Sequence, residues 1–161
     1  TPLAERLREL LLNEPMSMDT ELMLMFAARR DHLERLVRPA LAAGRWVVCD
    51  RFTDSTWAYQ GGGRGGPAER IAWLEQWVHG DLQPDRTYLF DLPAELAAER
   101  RASARAADRF EREDEAFFRR VREAYRQRAG QSPGRFLVVD GRRTIEEIRK
   151  LLEEDIASIG I

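Results

Sequence analysis

The sequence predicts an α/β fold in which a parallel sheet carries helices on its faces. Three short apolar runs, at residues 46–50, Thr87–Asp91 and Phe136–Asp140, each end in aspartate and have the length of buried strands. The segments between them place apolar residues at helical spacing, and such alternation implies strands paired in parallel through helical crossovers.

Each element has its own signal. Thr1-Pro2 reads as an N-cap followed by proline in the first turn, with Leu3, Leu7, Leu10 and Leu11 as an apolar stripe that breaks at residues 13–17. A second helix starts near Asp19 or Thr20 and runs towards Gly44 on Leu22, Met25, Phe26, Leu33, Leu36, Val37 and Leu41. Pro39 is expected to kink its last turns. Residues 46–50 form the first strand. After a polar segment and the glycine-rich residues 61–66, a helix spans 67–79, with Pro67 near its start and Gly80 just past its end. Thr87–Asp91 is the second strand, and Pro93 opens a helix through about Ala107. Residues 113–130 carry Phe117, Val121 and Tyr125 at helical spacing. Phe136–Asp140 is the third strand, and Thr144 with Glu147 makes a capping box for the last helix.

Composition bounds the function. The 161 residues suit one soluble domain over 1–161, and a formal net charge of −2 offers no broad basic footprint for nucleic acid. A single cysteine excludes an intrachain disulfide framework. No apolar run approaches the ~18 residues of a membrane span, and no signal-like apolar core opens the chain, so a cytoplasmic location is expected. Lys150 is the only lysine and follows Arg149, so the chain contains no G-x-x-x-x-G-K-[ST] phosphate loop.

Several residues break the pattern in ways that suggest chemistry. Arg29 occupies an apolar position of the second helix, one turn after Met25 and Phe26. A buried guanidinium needs a partner: another side chain, water at a cleft edge, or a planar ring with carbonyl oxygens. Asp50-Arg51 ends the first strand, where a carboxylate and a guanidinium can hold a metal and a phosphate together or can form a structural pair. In TDSTWAYQGGGRGG, a short helix would aim Thr56, Tyr59 and Gln60 at one place, and the Gln60 amide suits a base edge. The glycines read as a loop, a hinge or a close backbone approach. The mixed charges of residues 100–115 read as a solvated helix or as a closing lid. His32 and His79 show no metal spacing. Cys49, inside the first strand, is expected to pack. Asp91 and Asp140 fit the start of the following turns.

The strings FAAR, CDRF, AYQGGGRG, GDLQPD, DLP and DRFE occur in this order. Their order and spacing resemble bacterial thymidylate kinase over the whole chain, with AYQGGGRG after a strand-ending DR as the specific element. The resemblance implies a P-loop-kinase-like three-layer sandwich whose parallel sheet has five strands, of which three are legible here. It implies transfer of the γ-phosphoryl group of ATP to dTMP with Mg²⁺, and a homodimer, for which the stripe Leu33, Leu36 and Val37 could serve.

Roles follow by position. Arg51 would clamp the dTMP phosphate and Asp50 would sit by the magnesium. Arg29 would bond the thymine carbonyl with Phe26 or Met25 against the ring, and Gln60 and Thr56 would read the base edge. Tyr59 would pack under the sugar, and Arg8 would line the same pocket. Arg101 and Arg105 would be lid arginines in the 100–115 segment, and Asp108 would approach the sugar or the metal. Two departures stand out. The lid lacks an expected glycine, and the family's opening strand, phosphate loop, helix and second strand precede the part matched here. The expectation is an N-terminally incomplete domain, inactive as written. A kinase for another pyrimidine nucleotide and a non-catalytic nucleotide-binding fragment are the alternatives.

Overall fold

The computed structural model describes residues 1–102 and 113–159, except the side chains of Glu99, Arg101 and Ala102. Helix α1 (Pro2–Asn13) begins as its sequence demands, with Thr1 Oγ1 accepting the Ala4 N–H at 3.1 Å. It packs along α2 (Met18–His32), and the Thr1 hydroxyl donates to Asp31. Of the predicted stripe only Leu11 is buried; Leu3 and Leu10 stay exposed.

Helix α2 continues through a π turn at Leu33–Val37 into α3 (Arg38–Ala42). In that turn the Arg38 N–H reaches back to Leu33 O, and Pro39, which has no N–H to donate, follows at once. Leu22, Phe26, Leu33 and Val37 pack against Ile71, Leu74 and Val78, residues of the next long helix. Leu33 and Val37 therefore face the chain's own core, and only Leu36 of the stripe read as a possible dimer face is exposed.

Residues 46–50 are not a strand. Val48 is 95% exposed, and so is the bulk of Trp46, and Cys49 is exposed rather than packed. An apolar run becomes a strand only where a neighbour accepts its backbone hydrogen bonds, and no strand among the described residues lies beside it. Among the described residues the sheet has two strands, β1 (Thr87–Asp91) and β2 (Phe136–Asp140), parallel and in register from Thr87 with Phe136 to Asp91 with Asp140.

The remaining helices are α4 (Thr53–Thr56), which runs directly into a π-helical turn at Trp57–Gly63, then α5 (Ala68–His79), α6 (Ala94–Ala102), α7 (Glu115–Gln131) and α8 (Ile145–Ser158). Gly80 ends α5 with φ of 59°, as predicted. The capping box of α8 is present in both directions. Tyr88 of β1 donates to Asp155 at 2.7 Å and ties α8 to the sheet. No described helix is long and apolar enough to cross a membrane.

The first half of the glycine run, residues 61–63, is helical, and a turn follows at residues 64–65. A Cβ on Gly62 would lie 2.4 Å from the Ala124 Cβ, and one on Gly63 would lie 2.5 Å from the Phe117 ring. Arg120 Nε donates to Gly63 O at 2.9 Å across the same contact. Small residues here let α7 press directly onto residues 57–63, with Ala58, Phe117 and Val121 as a second core cluster. This places one helical passage, residues 53–63, between α2 on one side and α7 on the other.

Candidate functional site

Arg29 projects from α2 over the face of Phe26, with Cζ 4.8 Å from the ring centroid and 5.7 Å from that of Phe52. Its Nη2 donates to Thr56 Oγ1 at 3.1 Å, while Nη1 is buried with no hydrogen-bond partner. Burial pulls its pKa down to about 10, which still leaves it charged at neutral pH. Among the described residues it makes no ion pair, so the partner that the sequence demanded is two aromatic faces and one hydroxyl.

Thr56 and Gln60 are fully buried and both face α2. Gln60 Nε2 donates to Glu21 Oε1 at 2.7 Å, and Gln60 Oε1 is buried without a partner. Tyr59 departs from the expected convergence. Its ring meets Phe117 and Tyr125 of α7 edge-on, at 5.9 and 6.4 Å, and the Arg51 guanidinium lies 5.1 Å above it. Thr56 and Gln60 thus belong to one wall, and Tyr59 with Arg51 to another. Tyr125 donates to or accepts from Ser55 Oγ at 2.6 Å, and burial pushes its phenol up to about 12.

Arg51 has φ of 63°, the left-handed region, alone in this among the described residues other than glycine. Backbone strain at a non-glycine residue costs about 1–3 kcal/mol and clusters where geometry serves a site. Asp50 beside it is exposed. Met25 is half-buried on α2, whereas Phe26 lies in the core directly under Arg29. Arg8 is exposed on α1. Arg105 and Asp108 lie outside the described residues, as does the side chain of Arg101. Asp91 and Asp140 serve neighbouring arginines: Arg122 holds both oxygens of Asp91 at 2.6 and 2.8 Å, and Arg142 grips Asp140.

Sequence reasoning missed three supporting groups. Glu21 is wholly buried and also accepts from Arg64 Nη1 at 2.8 Å, while Arg64 Nη2 donates to Glu113 at 2.8 Å. Its signal was legible, since a carboxylate stands beside Leu22 within the apolar face of α2. Asp54 is buried under Arg128 and Arg135, with Arg135 Nη1 at 2.7 Å. Burial pushes its carboxyl up, but the two guanidinium groups outweigh this and hold it below its ordinary value. Nothing local announces that pair, because its partners are 74 and 81 residues away. His79 is buried against Phe52, with ring centroids 4.6 Å apart, and bonds Thr53 Oγ1; burial pulls it down to about 4.

Comparison with known proteins identifies the family. The thymidylate kinase family profile matches residues 1–152. The thymidylate kinase of Bordetella pertussis is 56% identical over 159 residues, which span 99% of this chain and 76% of that protein. Those of Burkholderia vietnamiensis and Cupriavidus necator are each 57% identical, over 99% of this chain and 77% and 78% of theirs. The crystal structure of thymidylate kinase from Ehrlichia chaffeensis superposes with a TM-score of 0.73 at 31% identity, covering 94% of this chain and 74% of that one. With profile, sequence and fold in agreement over nearly its whole length, the chain belongs to the thymidylate kinase family.

Proposed function

We propose that the wall formed by α2 and residues 53–63 reads the base of dTMP, and that Arg51 and Tyr59 hold its phosphate and sugar. Family membership makes the reaction a phosphoryl transfer from ATP to dTMP. The observation that carries the base assignment is a pair of orphans: Arg29 Nη1, a donor, and Gln60 Oε1, an acceptor, both buried and unsatisfied. An unsatisfied buried polar group costs about 1–3 kcal/mol, so a ligand that completes both gains twice. Thymine presents an acceptor at O4 next to a donor at N3–H, which matches that pair. Cytosine inverts both groups.

Catalysis in phosphoryl transfer is positioning and charge neutralisation. In this reading Arg51, exposed above Tyr59, forks onto the dTMP phosphate, and its fixed left-handed backbone aims it. Tyr59 lies under the sugar, and its own ring is held by Phe117 and Tyr125. Met25 or Phe26 contacts the base, Arg8 borders the pocket, and Arg101, Arg105 and Asp108 enter the proposal through the resemblance alone.

Magnesium fits the donor chemistry present, since this ion keeps most of its waters and takes one or two carboxylates plus substrate phosphates. Asp50 is an exposed hard oxygen donor of that kind, and among the described residues no cluster of three His, Cys, Asp or Glu side chains competes with it. Bound there, the ion would neutralise phosphate charge. A cytoplasmic homodimer belongs to the same proposal on the strength of the resemblance, and sedimentation of the purified protein tests the dimer.

Turnover of dTMP, dUMP, dCMP and AMP with ATP tests the assignment. The two substrates with a 4-carbonyl and a protonated N3 should be phosphorylated with far higher kcat/KM than dCMP or AMP. A preference for dCMP would overturn the base assignment in favour of another pyrimidine nucleotide.

A further inference from the structure

Glu21 sits in the first turn of α2 with no exposed surface, and among the described residues each of its oxygens meets a donor. Oε1 takes the Gln60 amide and Oε2 takes Arg64, whose other nitrogen is tied to Glu113. A carboxylate can only accept hydrogen bonds. Gln60 can therefore face Glu21 only with its NH₂ group, which turns the amide carbonyl the other way. That carbonyl is the buried acceptor without a partner.

A glutamine amide has two orientations of nearly identical shape. In a base-reading site they have opposite preferences. With the carbonyl presented, the site accepts from a protonated ring nitrogen, as in thymine or uracil. With the NH₂ presented, it donates to a bare one, as in cytosine. Reversing the amide here would set its carbonyl against the Glu21 carboxylate at 2.7 Å, acceptor against acceptor, and would forfeit a charge-assisted bond.

We propose that Glu21 is a positioning residue that locks the Gln60 amide in the orientation selecting bases protonated at N3, with Arg64 compensating its buried charge. The proposal rests on the dTMP-site reading above. The competing view is that Glu21 and Arg64 merely fasten α2 to the glycine-rich turn.

The ratio of kcat/KM for dTMP to that for dCMP, measured in the full-length protein, separates the two, because a ratio within one preparation cancels its folded fraction. Glu21→Gln keeps the shape but offers Gln60 either a donor or an acceptor. It should lower the ratio at least about tenfold, chiefly through a higher KM for dTMP. Glu21→Asp draws the carboxylate back by one methylene and leaves the buried Gln60 amide donor unsatisfied, so it should lower the ratio similarly and lower Tm as well. In a Gln60→Ala background, Glu21→Gln should change the ratio less than about twofold, as expected for residues acting through one contact. An unchanged ratio in both Glu21 variants, or an equal fall with and without Gln60, would overturn the proposal and leave a fastening role. If Gln60→Ala alone leaves the ratio untouched, the base reading itself fails, and the proposal with it.

Discussion

The Arg29 guanidinium lies over the Phe26 ring, its Cζ 4.8 Å from the centroid, so that an aromatic face stands where a carboxylate would ordinarily be required. Among the described residues this charge has no counter-ion, which is expensive to the fold, and its Nη1 makes no hydrogen bond.

Arg29→Met should therefore separate function from stability. The thioether fills similar space and removes the desolvated charge, so Tm should hold or rise. Binding of dTMP should weaken by roughly ten- to a hundredfold with loss of a charged hydrogen bond worth about 1.5–3 kcal/mol. Calorimetric titration with dTMP and a thermal melt on the same sample check both halves.

Arg51 combines an exposed side chain with a left-handed backbone. Arg51→Ala should abolish most turnover while leaving the far-ultraviolet circular dichroism unchanged. Arg51→Gly should be equally inactive yet more stable than the alanine variant by roughly 1 kcal/mol, because glycine relieves the left-handed strain. Equal melting temperatures for the two variants would argue against strain at this position.

At Gly62 the neighbour across the contact is the Ala124 Cβ, with Arg120 O also close, so an added methyl group has nowhere to go. Gly62→Ala should destabilise the protein by about 1–3 kcal/mol through overpacking, despite alanine's higher helix propensity. Urea unfolding measures it, and a stabilised variant would show that α7 does not press on this turn.

His79 gives a pH dependence with a defined sign. Its pKa in the fold is about 4, below the 6.5 of the unfolded chain, because burial disfavours the imidazolium. The unfolded state binds more protons between these values, so stability is fully present above pH 6.5 and falls as pH drops towards 4. The loss approaches about 3 kcal/mol. His79→Gln should flatten unfolding free energy against pH across that window, leaving the carboxylate losses at lower pH in place.

Much of the site was readable from single residues. Arg29 stood out because helical periodicity called for an apolar side chain, and its guanidinium lies over Phe26 and is bonded to Thr56. The capping box at Thr144, the N-cap at Thr1 and the stop at Gly80 were legible for the same reason: their hydrogen bonds close within a turn. Residues 46–50 carried a strand's composition but formed none, because a ladder needs a neighbour that no local pattern supplies.

Local chemistry thus determined where α1 and α8 begin, where α5 ends, and that Arg29 was out of place on its helix. Tertiary structure alone decided what the side chains of the site meet. It made Gly62 and Gly63, read within a loop, the contact that admits α7, sent Tyr59 to a different wall from Gln60, and set Glu21 behind the Gln60 amide. The physical reason is range: capping and periodicity act over three or four residues. The groups of the candidate site are joined across 27 residues from Arg29 to Thr56, 39 from Glu21 to Gln60 and 81 from Asp54 to Arg135, separations that only the packed chain closes.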